Sequence, residues 1–228
     1  LMMLAFNAVA AGIGNVVATE TREKQFAIYK KIDFITSGIY MLSSVCLIQL
    51  LNSFIKLWLG NIGENYVMSQ FVVILIVGNM YINCSGQILE RFRIANGLFK
   101  VGRDLQVLGG VVNIILSVIF AKIWGFEGVL ISPFICKIFI TVTPFVVRVG
   151  KKSFGVNAMY MLKEFFSKCI YIVTTTCFLW ILCQKIHCTT ISNFVIEVIV
   201  TFIVCIIVFV VMFYKTTVFK ETIKLIYK

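Results

Sequence analysis

The sequence predicts an all-α, polytopic integral membrane protein, a bundle of about seven transmembrane helices. Of its 228 residues 60% are apolar and 14% are charged, whereas soluble domains average about 45–50% and about 25%. The apolar residues form blocks of about 20, the length of a helix that crosses a bilayer, and they lack the alternation of a transmembrane β-strand. A disordered chain is excluded as well, because disorder requires low hydrophobicity.

Seven apolar blocks follow one another, joined by connections of under about 20 residues. The first block carries no basic residue before it, so it is not predicted to be a signal peptide. Because the chain begins with Leu1, we expect it to be part of a longer protein. The blocks are Leu1 to Ala18, Phe34 to Leu59, Tyr66 to Leu89, Leu105 to Trp124, Gly128 to Val147, Phe165 to Cys183 and Phe194 to Phe213, and a basic amphipathic tail, Tyr214 to Lys228, ends the chain.

The basic residues alternate between the two sides of the predicted membrane. Four lie in the first connection, four in the third, five in the fifth and four in the tail, while the second, fourth and sixth hold one each. By the positive-inside rule the first, third and fifth connections and the tail are cytoplasmic. This distribution accounts for the net charge of +11 without a nucleic-acid partner.

Polar residues recur at helical spacing inside the blocks, and they allow two interpretations. They form either close helix packing with interhelical hydrogen bonds or a polar cavity of the kind found in transporters. Stripes on most of the helices favour the shared cavity. The main stripes are Asn79, Asn83 and Gln87; Gln106, Gly109, Asn113 and Ser117; Pro133, Lys137 and Thr141; and Asn193, Glu197, Thr201 and Cys205.

Lys137 is the most informative single residue. It lies about 9 residues from the outer end of its block, near the bilayer midplane at about 1.5 Å per residue. A lysine at that depth costs a few kcal/mol, so it is predicted to face water, a carboxylate or an anionic ligand. Pro133 and Pro144 flank it and predict a kinked helix. The alternative is a structural lysine beside a polar neighbour.

Three further charged residues are candidates with simpler alternative explanations. Glu197, about one turn inside the last block, is either a rim residue or a weak candidate for proton or sodium coupling. Arg91 and Arg93, beside Glu90 at the inner end of the third block, either serve topology alone or bind phosphate at the cytoplasmic side.

The residues offer little for catalysis or for a resident metal or cofactor. His187 is the single histidine, no phosphate-binding glycine loop occurs, and no nucleophile and base are paired. A disulfide or metal at Cys183, His187 and Cys188 is conceivable, while most of the eight cysteines lie in apolar blocks as small hydrophobes. We therefore do not expect an enzyme.

Several short stretches resemble a known family of membrane transporters. They are Gly14-Asn15, the stretch from Leu51 to Gly60, Asn96-Gly97-Leu98-Phe99, the stretch from Asn113 to Ser117, and Gly125-Phe126-Glu127-Gly128. In this order and spacing, over most of residues 1 to 155, they resemble the C-terminal half of bacterial polysaccharide flippases, which transport O-antigen and capsule repeat units. These flippases belong to the multidrug/oligosaccharidyl-lipid/polysaccharide exporter superfamily.

The resemblance implies a partial two-bundle exporter fold in the bacterial cytoplasmic membrane. Residues 1–147 would be five helices of an incomplete C-terminal bundle, and 148–228 a cytoplasmic loop, two appended helices and a cytoplasmic tail. The implied activity is alternating-access flipping of a polyprenyl-diphosphate-linked oligosaccharide, with membrane lipids, a polysaccharide polymerase and glycosyltransferases as partners. The candidate substrate-binding residues are Lys137, Arg91, Arg93, Asn79, Asn83 and Asn113, with Glu197 for coupling.

Two other functions remain open from the sequence. One is a cation-coupled multidrug exporter of the same superfamily, which the scarcity of intramembrane carboxylates disfavours. The other is a non-transporting scaffold subunit of a glycan-assembly complex.

Overall fold

A computed structural model describes residues 12–60, 66–183 and 190–226, and in these ranges the chain is helical without any strand. Residues 12–19 form a helix ahead of eight others and a short π-helical segment. The eight are α1 (Arg22–Leu59), α2 (Gln70–Ser85), α3 (Gln87–Ala95), α4 (Arg103–Cys136), α5 (Thr143–Phe154), α6 (Ala158–Cys183), α7 (Ile191–Phe213) and α8 (Thr217–Ile226), and the π-helical segment is Lys137–Val142.

The prediction of an all-helical chain is confirmed for the described residues, and the long apolar helices are compatible with a membrane helix bundle. Among the described residues, five helices are long and apolar enough to cross a membrane. They indicate a multi-pass membrane protein, because a bilayer accepts only helices or closed barrels. The predicted block Leu1 to Ala18 lies largely outside the described residues, so the number seven stays a prediction. The five are Arg22–Leu59, Gln70–Ala95, Arg103–Phe154, Ala158–Cys183 and Ile191–Phe213.

The longest of these, Arg103–Phe154, is two arms joined at Gly125. This residue has φ 59° and ψ −134°, a conformation that essentially only glycine adopts at low cost. Three residues further on, a side chain at Gly128 would overlap the backbone carbonyl of Phe120. The chain therefore reverses in a tight turn between the predicted blocks that end at Trp124 and begin at Gly128.

Contacts along the two arms show that they pack antiparallel. Near the turn, the Ser132 hydroxyl donates to the Asn113 backbone carbonyl at 2.9 Å and to its side-chain oxygen at 2.8 Å. At the far end, Arg148 forms an ion pair with Asp104. The midpoint in sequence between the two residues of each pair falls within residues 122–126. This is the relation expected for an antiparallel hairpin that turns at Gly125.

The second arm changes its helical winding at Lys137. Residues Lys137–Val142 form a π-helix, and the Thr143 N–H donates to the Ile138 carbonyl, five residues earlier. Pro144 follows, and its ring cannot donate a hydrogen bond and would clash with the carbonyl of Ile140 in a regular α-helix. The wider π turn accommodates the proline, which agrees with the predicted irregularity of this helix.

The contacts divide the chain into two units, which we describe separately. In the first, described over 12–36 and 82–165, an aromatic cluster forms the core. The Tyr29 ring lies 5.1 Å from the Phe154 ring and 5.8 Å from the Phe92 ring, and Phe92 lies 5.3 Å from Phe154. These rings join α1, α3 and α5 at the end of the hairpin that is distant from Gly125.

The second unit comprises 37–81 and 166–228 with the gaps given above. Ile48, Val73 and Val77 form its apolar core. Gly38 of α1 faces the Phe209 ring, and a Cβ there would lie 3.4 Å from the ring, at van der Waals contact. The buried Lys168 ammonium donates to the Ser37 hydroxyl at 3.0 Å.

Two helices begin inside segments that the sequence assigns to connections. Helix α1 begins at Arg22 and not at Phe34, because Gln25, Tyr29 and Asp33 recur at helical spacing and are buried. Helix α6 likewise begins at Ala158 and buries Met161, Phe165 and Lys168. Mean hydropathy detects the apolar part of such a helix but not its amphipathic extension.

Candidate functional site

A cavity of about 420 Å³ lies within the first unit. Its volume falls in the range of small-molecule sites, about 300–1,000 Å³. It is bounded by residues 82–90 and by both arms of the hairpin. Its polar lining residues are Asn83, Gln87, Glu90, Gln106, Asn113, Lys137 and Thr141.

Three of the polar stripes therefore meet at one place. Asn83 and Gln87 come from the third predicted block, Gln106 and Asn113 from the fourth, and Pro133, Lys137 and Thr141 from the fifth. Asn113 and Lys137 each lie twelve residues from Gly125 on opposite arms, so the hairpin sets them at the same level. The convergence favours a shared cavity over separate packing contacts for these stripes.

Small residues hold the two arms close beside the cavity. A side chain at Gly109 would overlap the Thr141 hydroxyl, whereas one at the adjacent Gly110 would meet open space. Ser132 is fully buried, and its hydrogen bonds to Asn113 fix the asparagine side chain that lines the cavity. Interfaces of this kind are typical of membrane helices, where small and hydroxyl residues permit close approach.

Lys137 begins the π-helical segment and is half-buried against the cavity. Two residues later, Phe139 is 71% exposed, so the segment presents a charged residue to the cavity and an apolar one to the surroundings. Single π turns inside helices occur frequently at functional sites. The ammonium is a donor suited to phosphate, carboxylate or sugar hydroxyl oxygens.

Glu90, which the sequence places beside Arg91 and Arg93 at the inner end of the third block, also lines the cavity. Its two oxygens accept hydrogen bonds from Arg93, from Nε at 2.8 Å and from a terminal nitrogen at 2.5 Å. The charges of Lys137, Glu90 and Arg93 together amount to +1. The presence of Glu90 in the cavity lining follows from helical spacing, because Glu90 lies on the same helical face as Asn83 and Gln87.

Arg93 is engaged by the protein itself. It is 9% exposed, and its other terminal nitrogen donates to the carbonyls of Leu98, Phe99 and Val101 at 3.2, 2.9 and 3.3 Å. It thus binds the turn that follows α3, while Arg91 is exposed. Neither arginine is among the residues that line the cavity.

The other two candidates lie elsewhere in the second unit. The Asn79 amide donates to the Leu75 carbonyl of its own helix at 2.9 Å. Glu197 is 4% exposed and accepts a hydrogen bond from Gln49 at 3.0 Å, which places it within the protein and not at a solvated rim. The suggested group at Cys183 cannot be described, because His187 and Cys188 lie outside the described residues.

We compared the chain with known protein families, curated sequences and solved structures. No protein-family model, curated protein sequence or solved structure matches the chain.

The hydrogen bonds of Arg93 and the exposure of Arg91 predict that only Arg93 stabilises the fold. We predict that Arg93→Lys lowers the free energy of unfolding by about 2–4 kcal/mol, because lysine cannot hold a bidentate carboxylate and three carbonyls together. Arg91→Lys, two residues away and exposed, is the matched control and is expected to change stability by less than about 0.5 kcal/mol. Thermal unfolding of the detergent-purified variants measures both, and equal stability of the two would contradict the structural role of Arg93.

Proposed function

We propose that the chain is part of a transporter that flips a polyprenyl-diphosphate-linked oligosaccharide across the bacterial cytoplasmic membrane. The observation that carries the proposal is the polar cavity in which three stripes converge, one of them containing Lys137. Its amide and hydroxyl groups suit the hydroxyls of a glycan, and the ammonium suits a diphosphate. The resemblance noted in the sequence supplies the substrate class.

Alternating access is the mechanism that this arrangement supports. Transporter sites lie near the midplane, where interrupted helices meet. Lys137 is the first residue of the π-helical segment. Pro133 lies in the helix before this segment, and Pro144 lies in the helix after it. Prolines and π turns are the sites at which helices kink, and we propose that this helix bends there during transport.

A second candidate function, a cation-coupled drug exporter, is favoured by one observation. Glu90 lines the same cavity as Lys137, so the site carries a carboxylate of the kind that couples to a proton or sodium ion. The ion pair between Glu90 and Arg93 counts against this function, because Arg93 already occupies the carboxylate to which a proton or sodium ion would bind. We therefore place this function behind the flippase.

The flippase proposal is tested by removing the lysine from the cavity. Lys137→Ala in the chromosomal gene should reduce surface polysaccharide by about 10-fold or more, because a charge-assisted contact contributes about 1.5–3 kcal/mol. Lys137→Arg should retain part of the export. Lys122→Ala, an exposed lysine near the hairpin turn, is the matched control, and immunoblots of membranes verify insertion.

Unchanged surface polysaccharide in a normally inserted Lys137→Ala protein would remove this lysine from the mechanism. The drug-exporter function would be favoured if the wild-type gene restored drug resistance to an exporter-deficient strain and the Lys137→Ala strain kept normal surface polysaccharide.

The proposal includes a membrane topology of about seven spans with the Gly125 turn outside and the tail in the cytoplasm. In intact cells, an impermeant thiol reagent should label Phe126→Cys, which is 65% exposed in the wild-type structure. It should label Lys220→Cys only after permeabilisation, with the unsubstituted protein giving the background. Labelling in the opposite order would contradict the orientation inferred from the basic residues.

A further inference from the structure

A cluster of basic side chains forms at the end of the hairpin that is distant from Gly125. Two depressions of about 550 and 290 Å³ meet there and share Lys100 and Asp104. Arg103 lines the larger one, and Arg148, Lys151 and Lys152 line the smaller. The fold thus gathers basic residues from two segments that are about 45 positions apart in the sequence. None of them lines the polar cavity.

The cluster keeps most of its positive charge. Asp104 is its single acidic member among the lining residues and forms an ion pair with Arg148. The four other basic side chains therefore contribute +4, and all four are exposed. Helix α4 begins here at Arg103, behind Gly102, so the positive end of its dipole adds to the same potential.

The larger depression continues from the charged residues onto an apolar surface. Val107, Leu108 and Val111 complete its lining, and they are 64%, 52% and 53% exposed. They lie one and two helical turns beyond Arg103 along α4. A basic rim above an apolar groove matches the two chemical parts of a phospholipid, a phosphate head and an acyl chain.

We propose that this surface is a binding site for an anionic phospholipid of the surrounding bilayer. The phosphate lies among Lys100, Arg103, Lys151 and Lys152, and one acyl chain lies along Val107, Leu108 and Val111. Positive charge spread over a cytoplasmic surface would satisfy topology alone. The convergence of two segments on an apolar groove is the additional feature that selects a lipid. The site does not depend on the proposed transport function.

Native mass spectrometry of the detergent-purified full chain tests the site with dioleoyl phosphatidylglycerol as the probe. The variant Lys100→Gln, Arg103→Gln, Lys151→Gln, Lys152→Gln should bind this lipid at least about 10-fold more weakly, since each basic residue near the head group contributes about 1 kcal/mol. The control removes the same charge elsewhere, at Lys163, Lys215, Lys220 and Lys224, which are exposed. It should bind as the wild type does.

Asp104→Asn is expected to raise the affinity for phosphatidylglycerol, whereas the fourfold variant lowers it. It releases Arg148 and should tighten binding of phosphatidylglycerol by about 2- to 5-fold, consistent with one added charge. The exposed ion pair contributes at most about 1 kcal/mol, so the variant is expected to fold.

Three results would overturn the proposal. They are equal loss of binding in the two fourfold variants, equal binding of dioleoyl phosphatidylcholine, and displacement of the lipid by inorganic diphosphate at concentrations similar to those of the lipid. The last would show that the cluster binds a free anion and not a lipid. Normal lipid binding by Lys137→Ala, with lost export, would separate this site from the transport cavity.

Discussion

The close antiparallel packing of the two hairpin arms is the constraint on which the rest of the first unit depends. It requires the glycine conformation at Gly125, the absence of a side chain at Gly109, and the hydrogen bonds from Ser132 to Asn113. With the arms fixed in this register, Asn113 and Lys137 lie at one level and line one cavity. A change in register by one residue would turn these side chains away from each other, because successive helical residues lie about 100° apart.

The sequence predicts the helical class and most of the long helices from hydropathy, and helical spacing identifies the polar stripes. Which three of the stripes meet in one cavity depends on how the hairpin packs against residues 82–90. The sequence does not predict which charged residues are used by the fold. Arg93 resembles a ligand-binding arginine in sequence, yet it binds Glu90 and the carbonyls of the following turn. Such contacts depend on the path of residues 96–101, which no local pattern specifies. Glu90 belongs in sequence both to the charged cluster at the inner end of the third block and to the end of the Asn83 and Gln87 stripe, and the structure places it in the cavity lining.

Positive charge has four separate uses in this chain. Most basic residues mark the predicted cytoplasmic side, as the alternation between connections indicates. Arg93 donates hydrogen bonds in a partly buried network that binds the turn after α3. Lys137 lies in the cavity, and the cluster around Lys100 faces outward above an apolar groove. The net charge of +11 therefore describes no single surface or function.

Water access to the polar cavity in which the three stripes meet is tested most directly by labelling paired cysteine variants with an impermeant methanethiosulfonate. One member of each pair replaces a cavity-lining residue, and the other replaces an exposed apolar residue one or two positions away. The pairs are Gln106→Cys with Val107→Cys, Asn113→Cys with Ile114→Cys, and Lys137→Cys with Phe139→Cys. Because the reactive thiolate forms in water and not in lipid, the cavity member of each pair should react at least about 10-fold faster. Equal rates within the pairs would contradict the cavity.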